Sequence, residues 1–208
     1  SSIMYTTHIQ KGGLEKKVDA LVVLLFEEDL KNSAMTSAYN DATGGAFAMH
    51  ISTKDFEGKE KQMIVLHSVG TQLFTRLLVI GMGKRAEFTS TVCYHALLSV
   101  FKAGQKKKAE QFAVAMSSAI EKKIGAYEVG FLCAKALGLS TYRFQEFFTG
   151  HDSQHKLPQS LTIVDATDIS RMRKGVEDGV IVSDAINFTR GLGNQPSNVM
   201  TPQKSKLL

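Results

Sequence analysis

The run Ala20-Leu21-Val22-Val23-Leu24-Leu25-Phe26 constrains the fold more than any other stretch. It is unbroken and rich in branched side chains, with no polar alternation. A strand exposed on one face would alternate; one without alternation is buried on both faces, at the centre of a sheet covered by helices. It is far shorter than the ~20 apolar residues a membrane span needs, and no other run approaches that length. A second such run, Leu77-Leu78-Val79-Ile80, ends in Gly81-Met82-Gly83.

The remaining patterning alternates strand and helix around these two runs. Residues 3–10 read as an edge strand, followed by a turn at Lys11-Gly12-Gly13. Glu27-Glu28-Asp29 supplies acids to the start of a helix from Leu30 to Ala42, which Thr43-Gly44-Gly45 breaks. Residues 46–53 and 61–67 read as a strand pair. Phe88, Val92, His95, Leu98 and Phe101 have helical spacing within 88–103. Residues 110–116 read as a strand and 124–139 as an apolar helix closed by Gly138. Tyr142-Arg143-Phe144 reads as extended, 149–159 as a polar loop and Leu161–Val164 as the last strand. A long helix over 169–192 carries an apolar stripe of Met172, Val176, Val180, Ile181, Ala185, Phe188 and Leu192. Strands alternating with helices predict an α/β layered domain with a mixed, mostly parallel sheet flanked by helices. At 208 residues, folding buries roughly 70% of the unfolded chain's surface, enough for a substantial core.

The chain carries a formal net charge of +5. The one dense basic run, Lys102 to Lys108, offers a contact for phosphates or an acidic partner. It also suits a solvated helix end, where cations complement the C-terminal dipole. No aromatic residues interleave it, which weighs against nucleic acid. The two cysteines, Cys93 and Cys133, lie in apolar helical patterns and read as reduced core thiols, which points to the cytoplasm. The N-terminus lacks the basic and apolar regions of a signal peptide.

Candidate chemistry is sparse. Gly81-Met82-Gly83 follows a strand and precedes a helix, so its backbone is a candidate to approach a phosphate. The third glycine of a dinucleotide fingerprint is replaced by Ala86, and a plain strand-to-helix turn explains the glycines equally. Thr43-Gly44-Gly45 is a second phosphate candidate. His151 and His155 flank Asp152 at metal-ligand spacing, but Gly150 and Pro158 favour a solvated loop. Asp165 and Asp168 read as caps of the long helix. No Cys-x-x-Cys, His-Glu-x-x-His or Gly-x-Ser-x-Gly pattern occurs. The residues assign no catalytic, cofactor-binding or metal-binding position.

The segment Arg190-x-Leu192-x-Asn194-x-Pro196-x-Asn198-x-x-Thr201-Pro202 closely resembles the junction between the two domains of the leucyl aminopeptidase family, the cytosolic two-metal aminopeptidases. Pro196 cannot continue the preceding helix, and Thr201-Pro202 resembles an N-cap with proline at the first helical position. Phe56-x-Gly58-Lys59, the run from Arg76 to Gly83, and Tyr142-x-Phe144 resemble parts of the same family's N-terminal domain.

The resemblance implies a macro-domain-like N-terminal domain over 1–167. Residues 168–208 would form a linker helix and the start of a catalytic domain. Since the sequence stops six residues after Pro202, it reads as part of a larger protein. The catalytic half would hold two divalent metals, manganese or zinc, and bind the peptide substrate. The resemblance implies a homo-hexamer with N-terminal domains at its periphery. Some family members also bind DNA, partly through this domain. The Asn-Thr-Asp-Ala-Glu-Gly-Arg and Gly-Lys-Gly motifs that supply the family's metal ligands do not occur here. The expectation is therefore a fragment inactive alone, with roles in assembly, access control or partner binding. The alternatives are a nucleotide or ADP-ribose module, and a DNA-binding domain using the Lys102–Lys108 cluster.

Overall fold

In the computed structural model, residues 5–141 and 157–190 are described. Six strands form one sheet in the order β1-β6-β5-β2-β4-β3. They are β1 (Thr6–Ile9), β2 (Val18–Leu25), β3 (Met63–His67), β4 (Phe74–Gly81), β5 (Gln111–Met116) and β6 (Ser160–Ile163). Every pairing is parallel except β3 with β4. As its unbroken apolar run requires, β2 is central, aligned with β4 through Val23↔Val79 and with β5 through Val22↔Val114.

Helices cover both faces. On one face lie α3 (Ser90–Lys106), α4 (Ser118–Ile124), α5 (Ala126–Ser140) and α6 (Ile169–Thr189). Their core joins Val22, Leu24, Leu78, Ile80 and Phe112 of the sheet to Leu97, Phe101, Cys133 and Leu137 of the helices. Phe101 and Phe112 meet edge to face at 5.4 Å. On the other face α1 (Ser33–Ala42) and α2 (Ala46–Ser52) enclose a second core. It is built on Val23, Leu25, Phe47, Phe56, Ile64, Leu77 and Val79.

Two expected elements differ. Residues 46–52 form α2 rather than a strand. Gly45 adopts φ +91, and the hydroxyl of Thr43 and side-chain oxygen of Asn40 accept from the amides of Phe47 and Ala48. Those caps satisfy the free N–H groups that open a helix, and Phe47 then falls one turn from Ile51. The helix expected from Leu30 begins as a 3-10 turn over Glu27–Lys31 and restarts at Asn32, whose side chain accepts from Met35 N–H at 3.2 Å. The helix expected over 124–139 is α5, which Gly125, φ +90, parts from the short α4 before it. Gly138 does not close it but lies buried inside α5.

The apolar stripe read along α6 is not its buried face. Met172 and Val176 are buried, but so are Gly175, Gly179, Ser183 and Asn187. Ile181 and Phe188 are 65% and 67% exposed. The small residues exist for α5, which runs parallel to α6 at backbone contact. A Cβ on Gly130 would collide with the Met172 carbonyl, one on Gly175 with the Tyr127 carbonyl, and one on Gly179 with the Phe131 carbonyl. At the far end Asn187 Nδ2 donates to the Gly138 carbonyl at 3.1 Å. Tyr127 Oη donates to Asp178 at 2.6 Å and holds that carboxyl below its usual range.

Candidate functional site

In open α/β sheets the carboxyl ends of the strands are where ligands are held. Here the ends of β2 and β4 carry three sequence segments that converge. The loop Phe56–Lys59 crosses over them with its backbone against theirs. Gly81 N–H donates to the Gln62 carbonyl at 2.8 Å, and Gly83 N–H donates to the Gly58 carbonyl at 2.8 Å. Met82 N–H donates to the Leu25 carbonyl at 2.8 Å, and Glu27 N–H to the Gly83 carbonyl at 3.0 Å. A Cβ on Gly58 would sit 2.9 Å from Glu27 Cα, and one on Gly81 would collide with the Lys59 carbonyl. Gly58 and Gly83 also have positive φ, 78° each. Only glycine fits this clasp.

Side chains lock its outer rim. The buried Asp29 carboxylate accepts from Phe26 N–H at 2.8 Å and from the Arg85 guanidinium at 2.9 Å. The guanidinium also stands 5.5 Å from the Phe26 ring centroid. Glu28 accepts from Arg85 N–H at 3.1 Å. Backbone donors, its own and that of Arg85, lower its pKa. Beyond the rim opens a shallow crevice of about 340 Å³ lined by Glu27, Glu28, Lys31, Glu57, Lys59 and Lys84. Carboxylates and ammonium groups alternate there, and Lys59 pairs with Glu57 at 3.2 Å. This arrangement presents no nucleophile beside a base and no single-sign field for a charged ligand.

The sequence candidates fall as follows. Gly81-Met82-Gly83 is the strand-to-helix turn, and its three amides are engaged with main-chain carbonyls, leaving none of them to cradle a phosphate. At Thr43-Gly44-Gly45 the amides likewise donate to Asn40 and Asp41 carbonyls. Lys106 to Lys108 close α3, with Lys107 as its C-cap. There Arg76 donates to the Lys107 carbonyl at 3.4 Å, so cations gather at the negative end of the helix dipole. Asp168 caps α6 by accepting from Arg171 N–H at 3.1 Å. Asp165 does not cap; it takes φ 57 in the turn before α6, its amide donating to the Gly12 carbonyl. Cys93 and Cys133 are free thiols buried in the core, and burial pushes Cys93 up to about 12 and Cys133 well up. Neither is an activated nucleophile. His151, Asp152 and His155, the Tyr142-x-Phe144 pair and the junction motif beyond Arg190 lie outside the described residues. Among the described residues no group of three His, Cys, Asp or Glu side chains converges as a metal site. Nor is any described helix long and apolar enough to cross a membrane.

Sequence reasoning missed the Asp29–Arg85 bridge, for which no local spacing gives a signal. It missed the clasp as a unit although it flagged both glycine-bearing halves.

These features define a mostly parallel α/β domain, helices on both faces, whose β2 and β4 ends are crossed by its own main chain. The model for the cytosol aminopeptidase family, N-terminal domain, matches residues 22–150, well over half of the chain. The chain belongs to that family, as its N-terminal domain. Among solved structures it is similar to a tomato leucine aminopeptidase mutant, at 17% identity and TM-score 0.70, covering 89% of this chain and 37% of that one. It is also similar to the bottromycin maturation enzyme BotP in complex with Mn, at 17% identity and TM-score 0.55, covering 82% of this chain and 30% of that one. The chain thus spans about a third of the length of the solved structures it matches. At these identities the likeness is one of fold.

Proposed function

We propose that residues 1–167 are the non-catalytic, macro-domain-like N-terminal domain of a metal-dependent leucyl aminopeptidase, and that 168–208 lead into its catalytic domain. That partner domain would hold two divalent metals, manganese or zinc, and remove N-terminal residues from peptides by activating a bound water. This domain serves assembly and access to the active site, within a cytoplasmic homo-hexamer. The observation that carries the reading is α6. Its inner face is committed to α5 by glycine contacts, and its outer face presents Ile181, Ala185 and Phe188 one turn apart. The chain then runs on past Arg190 into the junction motif. An apolar stripe on the element leading to the next domain suits burial against that domain.

A direct assay tests this. The purified chain, given a leucine amide substrate with manganese or zinc, is expected to show no turnover. Turnover that co-elutes with the folded chain on size exclusion and survives removal of contaminating peptidases overturns the reading.

A further inference from the structure

The connection from β1 to β2 is unusually short for the distance it covers. β6 and β5 lie between the two strands, and each step across a sheet is about 4.8 Å. Ile9 is level with Ile163, Val114 and Val22, so the chain must also drop back along the sheet to begin β2 at Val18. Residues 10–17 alone make this span, without a helix. A parallel crossover ordinarily uses about a dozen residues or more. Main-chain bonds tie both ends of the resulting strap. Ala166 N–H donates to the Gln10 carbonyl and Asp165 N–H to the Gly12 carbonyl, each at 3.0 Å, and Val18 N–H donates to the Leu73 carbonyl at 2.9 Å. Beneath the strap is the pocket of about 290 Å³. Its floor is two polar rows across β1, β6 and β5: His8 beside Thr162, and Ser160 beside Gln111. Thr162 is in register with Ala113, which belongs to the core under α1 and α2, so the pocket lies on the part of that face the two helices leave open.

We propose that this pocket binds a small organic acid through its carboxylate. The lining holds more hydrogen-bond donors than acceptors. Thr162 is 8% exposed, yet neither its hydroxyl nor that of Ser160 has a partner among the described residues. No amide from Lys11 to Lys17 donates to a main-chain carbonyl among them either. Lys16 and Lys17 bring two ammonium groups to the lining, against the one carboxylate of Glu15. The Asp19 carboxylate next to Gln111 is already taken up by the Glu110 and Gln111 amides, at 2.6 and 3.0 Å. Surplus donors under a positive balance call for an anionic acceptor, and charge-assisted bonds to a carboxylate are the strong ones. Leu14 and Val18 line the same space and add an apolar wall, which serves the carbon skeleton of an acid and does nothing for bare phosphate. The volume is at the small end for ligand pockets, which limits the occupant to about the size of an amino acid. The inference stands on the strap and its pocket and is independent of the reading of α6.

NMR titration of the isotope-labelled whole chain tests it, with 4-methylpentanoate, L-leucine, pyruvate and inorganic phosphate as separate probes. The amine 3-methylbutylamine, which is leucine without its carboxylate, is the control. At least one of the three organic acids is expected to give saturable shifts at millimolar concentration, centred on residues 14–18, Ser160 and Thr162. The amine and phosphate are expected to leave those residues unmoved. T162V is expected to weaken the binding about tenfold. The double variant K16Q/K17Q changes only exposed strap residues, so it leaves the fold intact, and the same loss is expected of it. Failure of all three acids to saturate these residues overturns the proposal. So does the amine, or phosphate, shifting them with equal affinity, and so does unchanged affinity in K16Q/K17Q.

Discussion

The two faces of the sheet are closed by different means. On the face of α3, α5 and α6, closure extends across the sheet and depends at the α5–α6 seam on the absence of side chains: Gly130, Gly175 and Gly179 let two parallel helices touch at the backbone. On the other face α1 and α2 close only the half over β2, β4 and β3, and they do so with bulk, chiefly Phe47, Phe56, Leu77 and Val79. The rest of that face carries His8, Gln111, Ser160 and Thr162 around an open pocket of about 290 Å³. The first face is therefore sensitive to added volume, the second to lost volume.

Truncation should give the largest effect. Phe47→Ala, in the smaller core, is expected to cost about 3–5 kcal/mol in urea unfolding, because few neighbours can collapse into the space. Hydrogen exchange should show α1 and α2 opening before β2. A loss under about 1 kcal/mol would mean this face is not held by bulk. Enlargement comes next. Gly175→Ala is expected to cost about 1–3 kcal/mol by overpacking, despite the better helix propensity of alanine. A neutral or stabilising result breaks the contrast between the faces.

A third effect separates the faces by pH. Below their ordinary value of 9.0 the two thiols are protonated whether folded or not. Above it the unfolded thiols ionise while folded Cys93 holds its proton to about 12. The folded state then binds more protons, so stability falls as pH rises through that window. Tyr39, on the α1 side, is raised from 10.0 to about 12 and adds its loss only above 10.0. Chemical denaturation across this range should show the midpoint dropping from 9.0 upward in wild type and less steeply in a Cys93→Ala, Cys133→Ala chain. Equal slopes would remove the thiols as the cause. The smallest effect is expected on the outer side of α6, where Ile181→Lys and Phe188→Glu should leave stability within about 0.5 kcal/mol in this chain.

Much of this plan was legible in the sequence, for identifiable reasons. β2, β4 and β5 are buried on both faces, so their apolar runs carry no competing signal. The helices over 90–106 and 169–189 are long enough for their periodicity to speak. What failed were short elements and faces. Residues 46–52 alternate well enough to imitate a strand, and the deciding caps come from Asn40 and Thr43, outside the window. The buried face of α6 was misread because its contact surface is glycine and serine, which periodicity counts as neutral, while its most apolar side chains point outward. At the strand ends the glycines were visible but their partners were not, since Gly58 and Gly81 are distant in sequence.

The clasp at those ends has a consequence for how such a domain changes over time. Its bonds run between main-chain atoms, and its fit depends on the missing Cβ atoms of Gly58 and Gly81. Apart from Asp29 and Glu28 at the rim and Gln62, whose side chain accepts from the Glu57 and Lys59 amides, the surrounding side chains supply none of these bonds. What the clasp does not tolerate is a change of spacing. One residue inserted between Gly58 and Gln62 would put the Gly81 and Gly83 amides out of step with their acceptors together. A joint of this kind lets the chemistry of a lineage drift widely while its loop length stays fixed.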